Sequence, residues 1–161
     1  MNTVDTCRHY FAYGSNMNPA RMRVRGLAFD EVLAGRVDDF ELVFNKRSTK
    51  VTGAAAANII ASLDGRVEGV LYRLVSGVEI QKMDPFERYP EDYDRQTLMV
   101  NTGSGLTAAW VYLANPSATA SGLRPARWYL NHLMAGEEFL SPDYARALRA
   151  VHCLENSDVE P

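Results

Sequence analysis

A chain of 161 residues is long enough for one domain with a sizeable buried core. Its 47% apolar content is that of a globular protein, and a formal charge of −3 without a long block of one sign argues against a nucleic-acid partner. No apolar run reaches the length of a membrane span and no signal-peptide core is visible, so a cytoplasmic location without a membrane partner is the expectation.

Taken in order, Cys7 comes first; with Cys153 it lies near one of the two ends and shows no metal-like spacing. Two reduced thiols are the reading, and a disulfide between the ends is the alternative. Residues 9–13 read as an apolar strand that runs into Gly14-Ser15-Asn16, and Asn18-Pro19 then signals a helix start. Arg21, Arg23 and Arg25 on that helix read as a solvated face. Alternation predicts strands at 40–44, 67–75, 96–100 and 106–113, the last two joined by a hairpin loop over 102–105. Residues 53–61 carry an alanine run with helical propensity, but their place between strand-like segments favours a strand.

Ser76 with Glu79 three positions later reads as a capping box opening a short helix. Pro85 should end it at Asp84 and leave Glu87 on the turn beyond. A helix over 125–135 should stop at Gly136, and Ser141-Pro142 should cap another with a core-facing stripe of Tyr144, Leu148 and Val151. The acidic tail 155–161 reads as frayed. Strands and helices mix without a strict βαβ rhythm, so the fold class is α+β. One domain over 1–161, with a core of about 8–153, accounts for the chain.

The strand-to-helix turn at Gly14 carries the most chemistry. A tight turn at that junction leaves backbone N–H groups unpaired and converging, a geometry that binds a carboxylate or an oxyanion. Gly14, lacking Cβ, would let a ligand approach the backbone. An ordinary edge strand with a polar turn is the competing reading.

The run Tyr10-Phe11-Ala12-Tyr13-Gly14-Ser15-Asn16, and Asp84-x-x-Glu87 followed by Tyr93-x-Arg95, together resemble the γ-glutamyl cyclotransferase family, in its AIG2-like form. Phe40-x-Leu42-x-Phe44, Val67-x-Gly69-Val70-Leu71-Tyr72, Pro125-x-x-x-Tyr129 and Gly136 extend the resemblance, in the family's order, over roughly 8–151. It implies a small, roughly closed, barrel-like mixed sheet with flanking helices. It also implies release of 5-oxoproline and a free amine from a small-molecule γ-glutamyl amide, with no cofactor and no metal. Homodimerisation is left open, as is the leaving amine.

Such a cyclisation needs a folded substrate and one group that takes a proton from the α-ammonium and gives it to the leaving amine. The resemblance assigns that role to Glu87, whose carboxyl would have to be raised by burial against Phe86, Tyr89 and Tyr93. It places Tyr10, Phe11, Ala12, Tyr13, Gly14, Ser15 and Asn16 around the substrate, with Asn16 ordering the turn. Tyr129 is a substrate contact by the same resemblance, or a helix residue packed by Trp128 and Leu133. The family has Gly after its glutamate; here Arg88 stands there.

A serine hydrolase using Ser15 is one alternative, but the Gly-x-Ser-x-Gly elbow is missing and His9, His132 and His152 sit in no recognisable motif. A binding protein of the same fold without turnover is the other.

Overall fold

The computed structural model describes residues 7–161, so the first six positions of the expected domain lie outside it. Five strands, β1 (His9–Ala12), β2 (Phe29–Arg47), β3 (Ala55–Leu74), β4 (Tyr93–Thr102) and β5 (Gly105–Ala114), close into a barrel in the order β1-β3-β2-β4-β5. Neighbours are antiparallel except β1 and β5, which meet in parallel at Tyr10 and Trp110. The α+β class and the near-closed mixed sheet expected from the sequence are therefore present.

The strands are longer than alternation suggested. β2 extends the expected 40–44 segment back to Phe29, and β3 fuses the two expected strands at 53–61 and 67–75. The fusion works through a bend: the β2–β3 register jumps from Asp38–Arg66 to Phe40–Ala61. Asp39 and Asp64 take left-handed φ of 64° and 63° there, and the Asp39 carboxylate accepts the Asp64 N–H at 3.0 Å. Bulges of this kind turn a long ribbon so that it can follow a barrel wall.

Phe11, Val37, Val67, Leu71, Val100 and Val111 form one apolar cluster. A second, around Tyr72, Met17, Met22, Leu130, Leu133 and Leu148, packs α1 (Pro19–Val24), α3 (Arg127–Met134) and α4 (Pro142–Arg149) against the sheet. Asn18 caps α1 by accepting from Ala20 N, with Pro19 at its first position, and Ser141 caps α4 by accepting from Tyr144 N, both as the sequence predicts.

Several local expectations are corrected. Ser76 caps nothing: the 3-10 turn at Glu79–Lys82 begins after Val78, and the buried Glu79 carboxylate accepts from Ala28 N at 2.8 Å and pairs with Lys82. Tertiary burial has captured the acid that a capping box would use. Pro85 does not end a helix but sits in the first turn of α2 (Asp84–Glu87), where a missing N–H costs nothing, so Glu87 closes that turn. Gly136 has a negative φ of −101° and is no left-handed cap; a Cβ there would lie 2.7 Å from Met17 O. Close packing of α3's end on the site turn is what requires glycine.

The tail is docked rather than frayed. Ser157 accepts the Arg127 N–H on its hydroxyl at 2.8 Å and the Trp128 N–H on its carbonyl at 2.9 Å, satisfying two donors at the start of α3. Cys7 and Cys153 are both unpaired thiols. No helix among the described residues is long and apolar enough to cross a membrane.

Candidate active site

Where β1 leaves the barrel, the chain makes one 3-10 turn, Ser15–Met17, before α1. That turn, α2, the end of β2 and the start of α3 surround a cavity of about 120 Å³.

Glu87 reaches the cavity from the end of α2. Asn16 fixes it: the Asn16 amide nitrogen donates to Glu87 Oε1 at 3.1 Å and to the Tyr10 hydroxyl at 2.9 Å. The Asn16 amide oxygen accepts from Arg25 at 2.9 Å. Only this orientation gives the carboxylate a donor and the guanidinium an acceptor. The Asn16 backbone is pinned in turn, its carbonyl accepting from the buried Tyr72 hydroxyl at 2.6 Å.

About 17% of the Glu87 side chain is reachable from the cavity, yet the carboxylate is otherwise enclosed by protein. Burial lifts its pKa above the ordinary glutamate value, against the opposing pull of Arg25, Lys46, Arg21 and the Asn16 hydrogen bond. Arg25 is the nearest cation, 4.0 Å away, and stacks on Phe86. A carboxyl poised in this way can accept a proton from an ammonium and return it.

The turn supplies donors. Among the described residues the backbone N–H groups of Gly14 and Asn16 have no acceptor in the chain, and that of Ser15 faces the Tyr129 hydroxyl. Tyr129 accepts from Ala57 N at 2.9 Å, and its pKa is pushed up to about 12, chiefly by burial. Tyr10 is likewise held neutral by burial, with the Glu87 charge adding to the effect. Both phenols thus keep a proton to donate, and neither donates it within the described chain.

Of the expected site residues, Tyr10, Tyr13, Gly14, Ser15, Asn16, Glu87 and Tyr129 line the cavity. Phe11 and Ala12 do not: they pair with Leu71 and Val70 of β3 and belong to the two apolar clusters. Their place is within the strand ladder and the core, outside the cavity lining. Tyr93 lines the cavity beside Glu87, whereas Tyr89 stacks on Arg95 away from it. Among the described residues no histidine lines the cavity and none is hydrogen-bonded to Ser15, so the geometry a serine hydrolase requires is not assembled there.

Four cations of the cavity lining went unread in the sequence: Arg21 and Arg25 were assigned to a solvated face, and Lys46 and Lys50 were not singled out. Arg21 and Arg25 are four apart, hence on the same face of α1, and α1 follows the site turn directly. That spacing was the available signal for Arg25. Lys46 is buried, paired with Asp92 at 2.9 Å and set over the Tyr93 ring.

Comparison with protein families matches residues 10–130 to the family described as gamma-glutamyl cyclotransferase, AIG2-like. The chain belongs to that family. Comparison with curated proteins gave no match. Among solved structures, one named gamma-glutamyl cyclotransferase superposes with a TM-score of 0.79 at 24% identity, over 92% of this chain and 90% of that one. An uncharacterized human protein gives 0.79 at 25% identity, over 91% and 89%. A yeast gamma-glutamyl cyclotransferase specific to glutathione is more distant, at 0.61 and 13% identity, over 87% and 93%.

Proposed function

We propose that the protein is a γ-glutamyl cyclotransferase that opens a γ-glutamyl amide by intramolecular aminolysis, with Glu87 as general base and then general acid. The substrate's α-ammonium gives a proton to Glu87, and the freed amine attacks the γ-carbonyl. A C–N bond forms within the new five-membered ring, and Glu87 returns the first proton to the departing nitrogen as the original amide C–N bond breaks; the carboxylate then takes the second proton from the ring nitrogen and passes it to the released amine. The products are 5-oxoproline and a free amine, with no covalent enzyme intermediate. The observation that carries the reading is the Asn16–Glu87 hydrogen bond of 3.1 Å, which sets a raised carboxyl beside the unpaired N–H groups of the turn.

Those N–H groups and the Tyr10 and Tyr129 hydroxyls would bind the α-carboxylate or the developing oxyanion, where one lost donor costs about 2.7–4 kcal/mol. Folding the substrate so that amine and carbonyl meet can supply roughly 7–11 kcal/mol of barrier lowering. Release of 5-oxoproline from a panel of γ-glutamyl amides, with Glu87→Gln alongside, tests the proposal. Release by the wild type alone is expected. Tight binding of a γ-glutamyl amide by folded protein with no release from any member would leave a binding protein instead.

A further inference from the structure

The tail's contribution lies outside the segment matched to the family, which ends at residue 130. Glu160 is brought to the cavity's flank by the Ser157 contacts on α3. One of its oxygens pairs with Arg21 at 2.8 Å and lies 3.7 Å from Lys50, while the other meets His132 at 3.2 Å. Arg21 and Lys50 line the cavity; Glu160 and His132 do not. The Lys50 ammonium stands over the ring of Trp128, another wall residue.

Arg21 faces two ways. Its side chain is only 11% exposed, and one terminal nitrogen is engaged by Glu160 and His132. Its Nε is buried without a partner among the described residues, and the residue itself forms part of the cavity wall. The other cations of the lining are balanced differently: Lys46 by Asp92, and Arg25 by the Asn16 amide and, at 4.0 Å, Glu87. The charge offered at this flank therefore depends on whether Glu160 is there to oppose it.

We propose that Glu160 is a positioning residue that sets leaving-group specificity: through Arg21 and Lys50 it draws positive charge out of the cavity and lowers affinity for conjugates whose leaving amine carries an anion. This rests on the γ-glutamyl reading of the cavity. Removing the carboxylate leaves Arg21 and Lys50 to attract such an anion directly, while a neutral leaving group gains nothing.

The test compares KM for γ-glutamyl-alanine and γ-glutamyl-ethylamide in the wild type, Glu160→Gln and Glu160→Asp. In Glu160→Gln the KM for the alanine conjugate should fall about threefold, the scale of one exposed ion pair, and the gain should shrink in high salt. The ethylamide KM should not move, and Glu160→Asp should restore the wild-type ratio. Parallel changes for both conjugates, or no change for either, overturn the proposal, because loss of tail docking alone would not tell the leaving groups apart. If no conjugate is turned over, the cyclotransferase reading fails and inorganic phosphate becomes the probe, followed by tryptophan fluorescence through Trp128. Tighter phosphate binding in Glu160→Gln than in the wild type then upholds the charge-setting role, and equal binding overturns it.

Discussion

A Cβ added to Gly14 would lie 2.9 Å from the Tyr129 hydroxyl and 3.3 Å from the Ala57 Cβ. The space that glycine leaves beside the turn is thus filled by Tyr129, which holds Ala57 N and still presents a proton to the cavity.

Gly14→Ala should push that hydroxyl away, raising KM about tenfold and costing about 1–3 kcal/mol of stability from overpacking. Tyr129→Phe removes the obstructing oxygen. In a double-mutant cycle the alanine should therefore cost measurably less stability in the phenylalanine background. Additive costs would show that the hydroxyl is not what glycine accommodates.

Glu87→Gln should lower kcat by about 10²- to 10⁴-fold while leaving the fold intact. Its effect on stability has a definite sign. A carboxyl whose pKa is raised on folding binds more protons in the native state, so stability falls as pH rises through and above the ordinary value of about 4.3. The glutamine variant should melt higher than the wild type at neutral pH and equally at pH values below that range. Thermal melts across the two conditions check it, and a lower melting temperature at neutral pH would contradict the buried-carboxyl account.

Asn16→Ala deletes the donor to Glu87 and the acceptor for Arg25 together. Because the Asn16 hydrogen bond opposes the rise in the Glu87 pKa, its loss should move the acid limb of the kcat/KM profile to higher pH. Stability should fall by about 1.5–3 kcal/mol, the cost of leaving a hydrogen-bonded charged group unpaired. An unmoved acid limb would mean that Asn16 does not tune the carboxyl.

Arg88 follows the candidate base with φ 50° and ψ 46°, in the left-handed region. A glycine, which the resemblance to the family implies at this position, would adopt that backbone without strain. Left-handed backbone costs a residue with Cβ roughly 1–2 kcal/mol. Arg88→Gly relieves that cost but adds about 0.4–1 kcal/mol of chain entropy and loses an exposed pair with Asp92, worth at most about 1 kcal/mol. The contributions oppose, so denaturant unfolding should give a stability within about 1 kcal/mol of the wild type. A loss above about 2 kcal/mol would indicate that Arg88 holds Asp92, and through it Lys46, more firmly than an exposed pair does.

Sequence reading succeeded where a local signal agreed with its surroundings. Asn18-Pro19 and Ser141-Pro142 cap helices, and Thr102 and Gly105 close the β4–β5 hairpin, because each needs only its neighbours. It failed where a distant contact decided the outcome. Glu79 turned to Ala28, Gly136 answered to Met17, and the acidic tail was held by α3. The gap between the strands expected at 53–61 and 67–75 is bridged, because pairing on both sides of the Asp39–Asp64 bend makes β3 continuous. At the site, Glu87 and the Tyr13–Asn16 turn were legible as motif residues. Phe11 and Ala12 were named with the motif, yet both lie within the β1–β3 ladder and its apolar clusters and neither lines the cavity, which opens where β1 ends.

The parallel meeting of β1 with β5 at Tyr10 and Trp110 leaves the sheet without a free edge at that seam. Tyr10 is at once a stave of the closed wall and a wall of the cavity. Assembly of the pocket and closure of the barrel are therefore one event, joining segments near residues 10, 57, 87 and 129 that only long loop closures can bring together. A partly folded chain should retain the β4–β5 hairpin before it has any ligand affinity. Hydrogen exchange should then show β1 amides becoming protected together with the appearance of binding, not ahead of it.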